Sequence, residues 1–187
     1  MVGLLIKMFV KRGVEVDIKD MCKHEVKTAN GGLTGNKGSV ALRFDLKDTS
    51  FMFMNCHLAP HDNSHMERME NLRKTISENF NVFFKNIDGY TLGHNYKCVF
   101  GDFNSRMNTL NWAEITEKID GRKWEELRNY DQICVNKDKD IFLNKYSEKD
   151  ISFAPTYKYI ENSTEYLRTK KGKKKEYNPA WCDRILL

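Results

Sequence analysis

Hydrophobic positions gather into short β-rich runs at residues 2–10, 39–46, 51–58 and 97–103, and into one long stretch with a different period. The run at 39–46 follows the glycine-rich stretch Gly31-Gly-Leu-Thr-Gly-Asn-Lys-Gly38, and Asp48-Thr-Ser50 makes a short turn into the next. Residues 39–58 therefore predict a β-hairpin. Residues 62–87 hold few breakers and place Met66, Met69, Leu72, Ile76, Phe80, Phe83, Phe84 and Ile87 at helical spacing. That pattern predicts an amphipathic helix packed on a sheet, with its aromatic stripe in the core. Shorter helices are expected around residues 110–119 and 123–130. Strands and helices mix without strict alternation, which favours a layered α/β fold.

At 187 residues the chain has the size of one domain. Apolar residues make up 40% and charged residues 30%, a mixture that excludes a fibrous or wholly disordered protein. No apolar run approaches the roughly 18 residues of a membrane-spanning helix. The apolar start is interrupted by Lys7, no small-residue cleavage site follows, and Glu15 and Asp17 argue against a transit peptide. The five cysteines form no C-x-x-C pair, so free thiols in a reducing, cytoplasmic compartment are expected. The sequon at Asn162 reads as chance.

The net charge of +5 is local. The segment from Arg168 to Lys175 carries six of the 31 basic residues and no acid, and without it 25 basic side chains face 26 acidic ones. Residues 161–176 are expected to form a mobile basic loop. Such a loop is either a solvated surface or a seeker of phosphate groups, nucleic acid or an acidic membrane face.

Several constellations bear on chemistry. Gly35-Asn-Lys-Gly-Ser39 lacks the Gly-Lys-Ser/Thr succession of a phosphate loop, and a tight turn between strands is the better reading. His57, His61 and His65 lie four apart, but Pro60 breaks the helix that would stack them as zinc ligands. The strand at 51–57 ends in Asn55 and His57, which alternation puts on one face. The strand at 98–104 likewise ends in Asp102 and Asn104, with Phe103 turned the other way. Two strands that each deliver a polar pair at their C-terminal ends point to one shared site. A carboxylate beside an amide suits activation of a water near a phosphate, Asp102 accepting the proton and Asn104 donating to a phosphoryl oxygen. Asp183 and Arg184, entering an apolar strand, read as a structural ion-pair network.

The stretches Gly35-Asn-Lys-Gly-Ser-Val40, Asn55-Cys-His-Leu-Ala59, Gly101-Asp-Phe-Asn-Ser-Arg106, Phe153-Ala-Pro-Thr-Tyr-Lys-Tyr159 and Pro179-Ala-Trp-Cys-Asp-Arg-Ile-Leu186 together resemble the catalytic domain of inositol polyphosphate 5-phosphatases, members of the endonuclease/exonuclease/phosphatase superfamily. The last stretch is specific to the phosphatases, whereas Gly-Asp-x-Asn is shared across the superfamily. The resemblance implies a deoxyribonuclease-I-like α+β fold, a four-layer sandwich of two mainly antiparallel sheets flanked by helices. It implies Mg²⁺-dependent removal of the 5-phosphate from phosphatidylinositol 4,5-bisphosphate or related inositol phosphates, with peripheral contact at an acidic, cytosolic membrane face.

Carried over by position, Asp102 orients and deprotonates the attacking water. Asn104 and His57 contact the scissile phosphate and Asn55 supports them. Asn36, Lys37 and Arg106 fall among the substrate-binding positions, and Tyr157 and Lys175 match residues that hold a 4-phosphate. Tyr177 stands where a further basic residue is expected. Asp183 and Arg184 are structural at the site. The resemblance places the family's metal-binding Asn and Glu before Met1 and its Ser-Asp-His motif after Leu187. The chain is accordingly expected to be part of that domain, without the metal ligands, and to turn over phosphate esters poorly on its own. A catalytically inactive phosphoinositide-binding module is the alternative. A metal-dependent nuclease of the same superfamily is disfavoured by the Pro-Ala-Trp-Cys-Asp-Arg-Ile-Leu stretch, so no nucleic-acid partner is expected.

Overall fold

In the computed structural model, which describes residues 3–84, 95–172 and 176–187, one five-stranded sheet organises the molecule. Its strands are β1 (Ile18–Ala29), β2 (Thr34–Leu46), β3 (Thr49–His57), β4 (Tyr96–Asp102) and β5 (Asp183–Leu186), in that spatial order. β3 and β4 are parallel and the other pairs antiparallel. The expected hairpin is β2–β3, closed at Leu46↔Thr49, with Lys47 in the left-handed region.

Alternation along β3 decides what each face becomes. Met52, Met54 and Cys56 are buried toward helix α1 (His65–Phe84), which supplies Met69, Leu72, Ile76 and Phe83 to the same core. Phe51, Phe53, Asn55 and His57 point to the opposite face, where Phe44, Phe51, Phe53 and Tyr96 form a ladder of stacked rings with neighbouring centroids 5.2–6.4 Å apart. A second cluster, Met107, Ile115, Leu127, Ile151 and Trp181, packs under α2 (Trp112–Asp120) and α3 (Trp124–Arg128). The start of α2 is fixed by a capping box in which Asn111 and Glu114 satisfy each other's backbone N–H groups. A fourth short helix, α4 (Gln132–Asn136), starts at Asp131, whose carboxylate accepts from the backbone N–H groups of Ile133 and Cys134.

Several expectations need correction. The apolar run at 2–10 is no strand over its described residues. From Leu4 onward it crosses the ring-bearing sheet face without a ladder, and Ile6, Met8 and Phe9 border a groove over Leu42, Phe44, Phe53 and Phe100. β1 was not expected. It is an edge strand whose outward positions are Lys23, Glu25 and Lys27 and whose inward ones are His24, Val26 and Thr28, so its charged side hides its pattern. The glycine-rich stretch is only partly a turn, because β2 already begins at Thr34. The predicted helix at 62–87 starts at His65, its last three residues lie outside the described ones, and Met66 is 73% exposed rather than core. Of the two packed sheets expected, the described residues form one, with isolated bridges such as Tyr157↔Ala180 on its flank. From the basic segment Tyr166 bridges back to Tyr159, and within it Thr169↔Glu176 bridge and Arg168 pairs with Glu176 at 2.7 Å.

Candidate active site

Register builds the site. Gly38 of β2 lies opposite His57 of β3, His57 beside Asp102 of β4, and Asp102 opposite Asp183 of β5. One row across four strands thus ends at the C-terminal tips of the parallel pair, and Lys37 reaches into it from the residue before Gly38. The backbone of Asp102 is pinned on both sides, since Leu58 N–H donates to Asp102 O at 2.9 Å and Phe103 N–H to Cys182 O at 2.8 Å.

His57 Nε2 lies 3.3 Å from Asp102 Oδ2 and makes a close contact with Lys37 Nζ. An ammonium can only donate, so Nε2 accepts and the imidazole proton belongs on Nδ1. Burial lowers the pKa of His57, Lys37 lowers it further, and Asp102 and Asp183 act against them. Burial also lowers that of Lys37, opposed by Asp102. On the next strand, burial raises the Asp183 carboxyl and the Asp102 charge raises it more.

Asp102 Oδ1 accepts the backbone N–H of Asn104 at 2.9 Å, leaving Oδ2 on the open side. Asn104, in the left-handed region at φ 50° and only 5% exposed, donates through Nδ2 to Leu58 O at 3.1 Å and accepts from Arg106 Nη2 at 2.6 Å. Arg106 lies 4.3 Å over the Tyr157 ring. Lys37, His57, Asp102, Asn104, Arg106 and Tyr157 are thus one contiguous network.

Other sequence candidates sit apart from it. Asn55 shares the face of His57 but donates to Leu5 O at 3.1 Å, and Asn36 accepts from Thr34 on an exposed stretch of β2. Lys175 lies outside the described residues. Asp183 and Arg184 do not act together, because alternation sends them to opposite faces. Asp183 joins the row, while Arg184 is buried between Asp131 and Glu148 at 2.7 and 2.5 Å. Reasoning from sequence missed Arg68 and Gln132, buried behind Arg106. Arg68 occupies a core position of α1 four residues before Leu72, and a charge inside an apolar stripe was the available signal.

The arrangement offers cations for an anion and a carboxylate for a proton. Thiol chemistry is a poor fit, since burial pushes Cys56 and Cys182, neighbours of the row, up to about 12. Among the described residues no three His, Cys, Asp or Glu side chains are grouped to hold a metal ion. The described donor set therefore does not fit a complete divalent-cation site.

Comparison with known proteins identifies the family. A probable inositol polyphosphate 5-phosphatase of Schizosaccharomyces pombe is 35% identical over 200 residues, covering 99% of this chain and 16% of that protein. Synaptojanin-2 of Rattus norvegicus is 33% identical over 186 residues, covering all of this chain and 12% of that protein. The chain thus spans less than a fifth of either relative's length. Among solved structures, the inositol polyphosphate 5-phosphatase domain of SpSynaptojanin, in complex with inositol (1,4)-bisphosphate and calcium ion, superposes with a TM-score of 0.72 at 32% identity, over 92% of this chain and 48% of that one. The family described as Endonuclease/Exonuclease/phosphatase family 2 matches residues 1–187. With the α+β sheet, the Gly-Asp-x-Asn turn and a match along all its residues, the chain belongs to endonuclease/exonuclease/phosphatase family 2.

Proposed function

We propose that this site is that of an inositol polyphosphate 5-phosphatase, hydrolysing the 5-phosphate of phosphatidylinositol 4,5-bisphosphate or a related inositol phosphate. The observation that carries the reading is the row Lys37, His57 and Asp102, with Asn104 and Arg106 joined to it, in a fold shared at 32% identity with a domain holding inositol (1,4)-bisphosphate. That ligand is what remains when the 5-phosphate leaves inositol 1,4,5-trisphosphate.

In the step this geometry supports, Asp102 Oδ2 takes a proton from water and the resulting hydroxide attacks phosphorus. The bond from phosphorus to the inositol 5-oxygen breaks, that oxygen takes a proton from solvent and leaves as the alcohol, and Asp102 returns its proton to solvent. Lys37 is the donor to the phosphoryl oxygens, with the Nδ1 proton of His57 and the second N–H of Asn104 Nδ2 as the further donors proposed, and Arg106 holds Asn104 in place. Tyr157 contributes the ring under Arg106 and a face for the inositol, and Lys175 is the cation proposed, on the resemblance, for a second phosphate. Mg²⁺ is the cation proposed for this chemistry. The described residues alone do not form a site that holds it. Peripheral contact with an acidic cytosolic membrane face follows from the basic segment ending at Lys175.

One observation favours a second reading, an inositide-binding module without turnover: the absence of a three-donor metal group among the described residues. Phosphate release separates the two. With Mg²⁺ present, the phosphatase reading expects release from inositol 1,4,5-trisphosphate and from vesicles containing phosphatidylinositol 4,5-bisphosphate, and none from inositol 1,4-bisphosphate. Binding of the bisphosphate with no release from either 5-phosphorylated compound would establish the module instead. Equal release from all three would contradict both readings.

A further inference from the structure

Behind the Arg106 loop, the Arg68 guanidinium is buried against a neutral amide. Arg68, in the first turn of α1, is 1% exposed. It donates to Ala59 O at 3.2 Å, His61 O at 2.5 Å, Asp62 O at 3.4 Å and Gln132 Oε1 at 2.5 Å. Every one of these acceptors is neutral, and among the described residues no carboxylate lies within ion-pair distance of Arg68. The same Oε1 of Gln132 accepts the backbone N–H of Arg106 at 3.2 Å, while Nε2 donates to Asn108 Oδ1 at 3.0 Å. Gln132 N–H donates to Arg106 O at 3.0 Å. The loop after β3, the loop after β4 and α4 therefore meet at one side chain, itself 4% exposed.

A buried guanidinium ordinarily takes a carboxylate partner. The adjacent residue follows that rule, since Asp131 pairs with Arg184 at 2.7 Å. At position 132 the side chain has the reach of Glu and lacks its charge. Burial and the neighbouring Arg106 pull the Arg68 guanidinium down to about 10, opposed by Asp62, Cys182 and Glu67.

We propose that Gln132 sets the charge behind the anion site: being neutral, it holds Arg68 against the Arg106 loop without cancelling the Arg68 charge, which is left to act on the ligand's phosphate. The inference rests on the inositol phosphate reading above and adds a residue to it. With Asp62 already 3.9 Å from Arg106 Nε, a carboxylate at 132 would pair with Arg68 internally. It would stabilise the free protein and weaken the anion's hold, whereas removing the side chain would loosen the loops and keep the field.

The test compares Gln132→Glu and Gln132→Ala with the wild type, by thermal unfolding without ligand and by calorimetric titration with inositol 1,4-bisphosphate at two salt concentrations. Gln132→Glu is expected to unfold at the wild-type temperature or higher and to bind about tenfold more weakly, the scale of one added charge acting through a few ångströms of protein. Its binding should also respond less to salt. Gln132→Ala is expected to unfold at a lower temperature and bind within about threefold of wild type. A lower unfolding temperature for Gln132→Glu, or wild-type affinity in it, overturns the inference, as does a loss in Gln132→Ala equal to that in Gln132→Glu. In any of these cases a wild type that binds the bisphosphate leaves the functional reading standing. A wild type that does not bind it overturns both.

Discussion

Replacing Asp102 by Asn is expected to slow phosphate release from inositol 1,4,5-trisphosphate by about 10²–10⁴-fold, the usual worth of a positioned general base. Binding of inositol 1,4-bisphosphate should not weaken. Asn keeps the size of the side chain and can still accept the Asn104 backbone N–H that holds Asp102 Oδ1 at 2.9 Å. It cannot take a proton from water, and it removes a negative charge 3.3 Å from His57 Nε2, beside the position proposed for an anion. Turnover and affinity should therefore separate, one falling and the other holding or improving. Single-turnover assays beside calorimetry read the two quantities. A variant that loses affinity and rate together would show that Asp102 organises the loop rather than serving as the base.

The second large effect is on stability. Arg184→Met should destabilise the protein by about 3–5 kcal/mol, the cost of removing one member of a buried ionic cluster. Arg184 Nη1 meets Asp131 at 2.7 Å and Nη2 meets Glu148 at 2.5 Å, with the Asp131 side chain 0% and the Glu148 side chain 12% exposed. Without the guanidinium, two carboxylates are left buried without their counter-charge. Asp131 also accepts Ser105 Oγ at 2.8 Å and starts α4, so its disturbance reaches Gln132. The midpoint of urea unfolding measures the loss. A change under about 1 kcal/mol would mean that solvent enters to screen the pair, as at exposed ion pairs.

The parts of this molecule that sequence discloses are those whose periodicity is local. The run from Phe51 to His57 alternates cleanly, so its strand, its buried side and the shared face of Asn55 and His57 could be read directly. The strand from Cys98 reads the same way only as far as Asp102, where β4 ends. Asn104 lies beyond it in the left-handed region, so alternation does not place it, yet two polar strand ends are enough to predict that His57 and Asp102 share a site. Lys37 was accessible only through the resemblance. Its contact with His57 depends on the β2–β3 register, which pairs Gly38 with His57, and on the left-handed φ of 136° at Gly38, where an added Cβ would fall 1.9 Å from Val26 O. Register of this kind is a property of two strands and is not written in either.

The failures have the same origin. β1 was hidden because its outward positions carry Lys23, Glu25 and Lys27, as an exposed edge requires. The run at 2–10 read as a strand because its composition is apolar, yet the described part of it meets no strand partner and instead lies across rings from β2, β3 and β4. Asp183 and Arg184 read as a pair because they are adjacent, and adjacency in a strand is what separates them. In α1 the buried stripe includes Arg68, Thr75 and Asn79 among its apolar members, so a search for hydrophobic spacing admitted exposed Met66 and passed over Arg68.

Where the phosphate sits is read most directly by amide chemical shifts, recorded as inositol 1,4-bisphosphate is added to isotopically labelled protein, with myo-inositol as the uncharged control. The largest perturbations are expected at Lys37, His57, Asn104 and Arg106, with α3 unmoved and no response to myo-inositol. Perturbations centred on α3, or the same shifts from myo-inositol, would contradict a phosphate site at the row of His57 and Asp102.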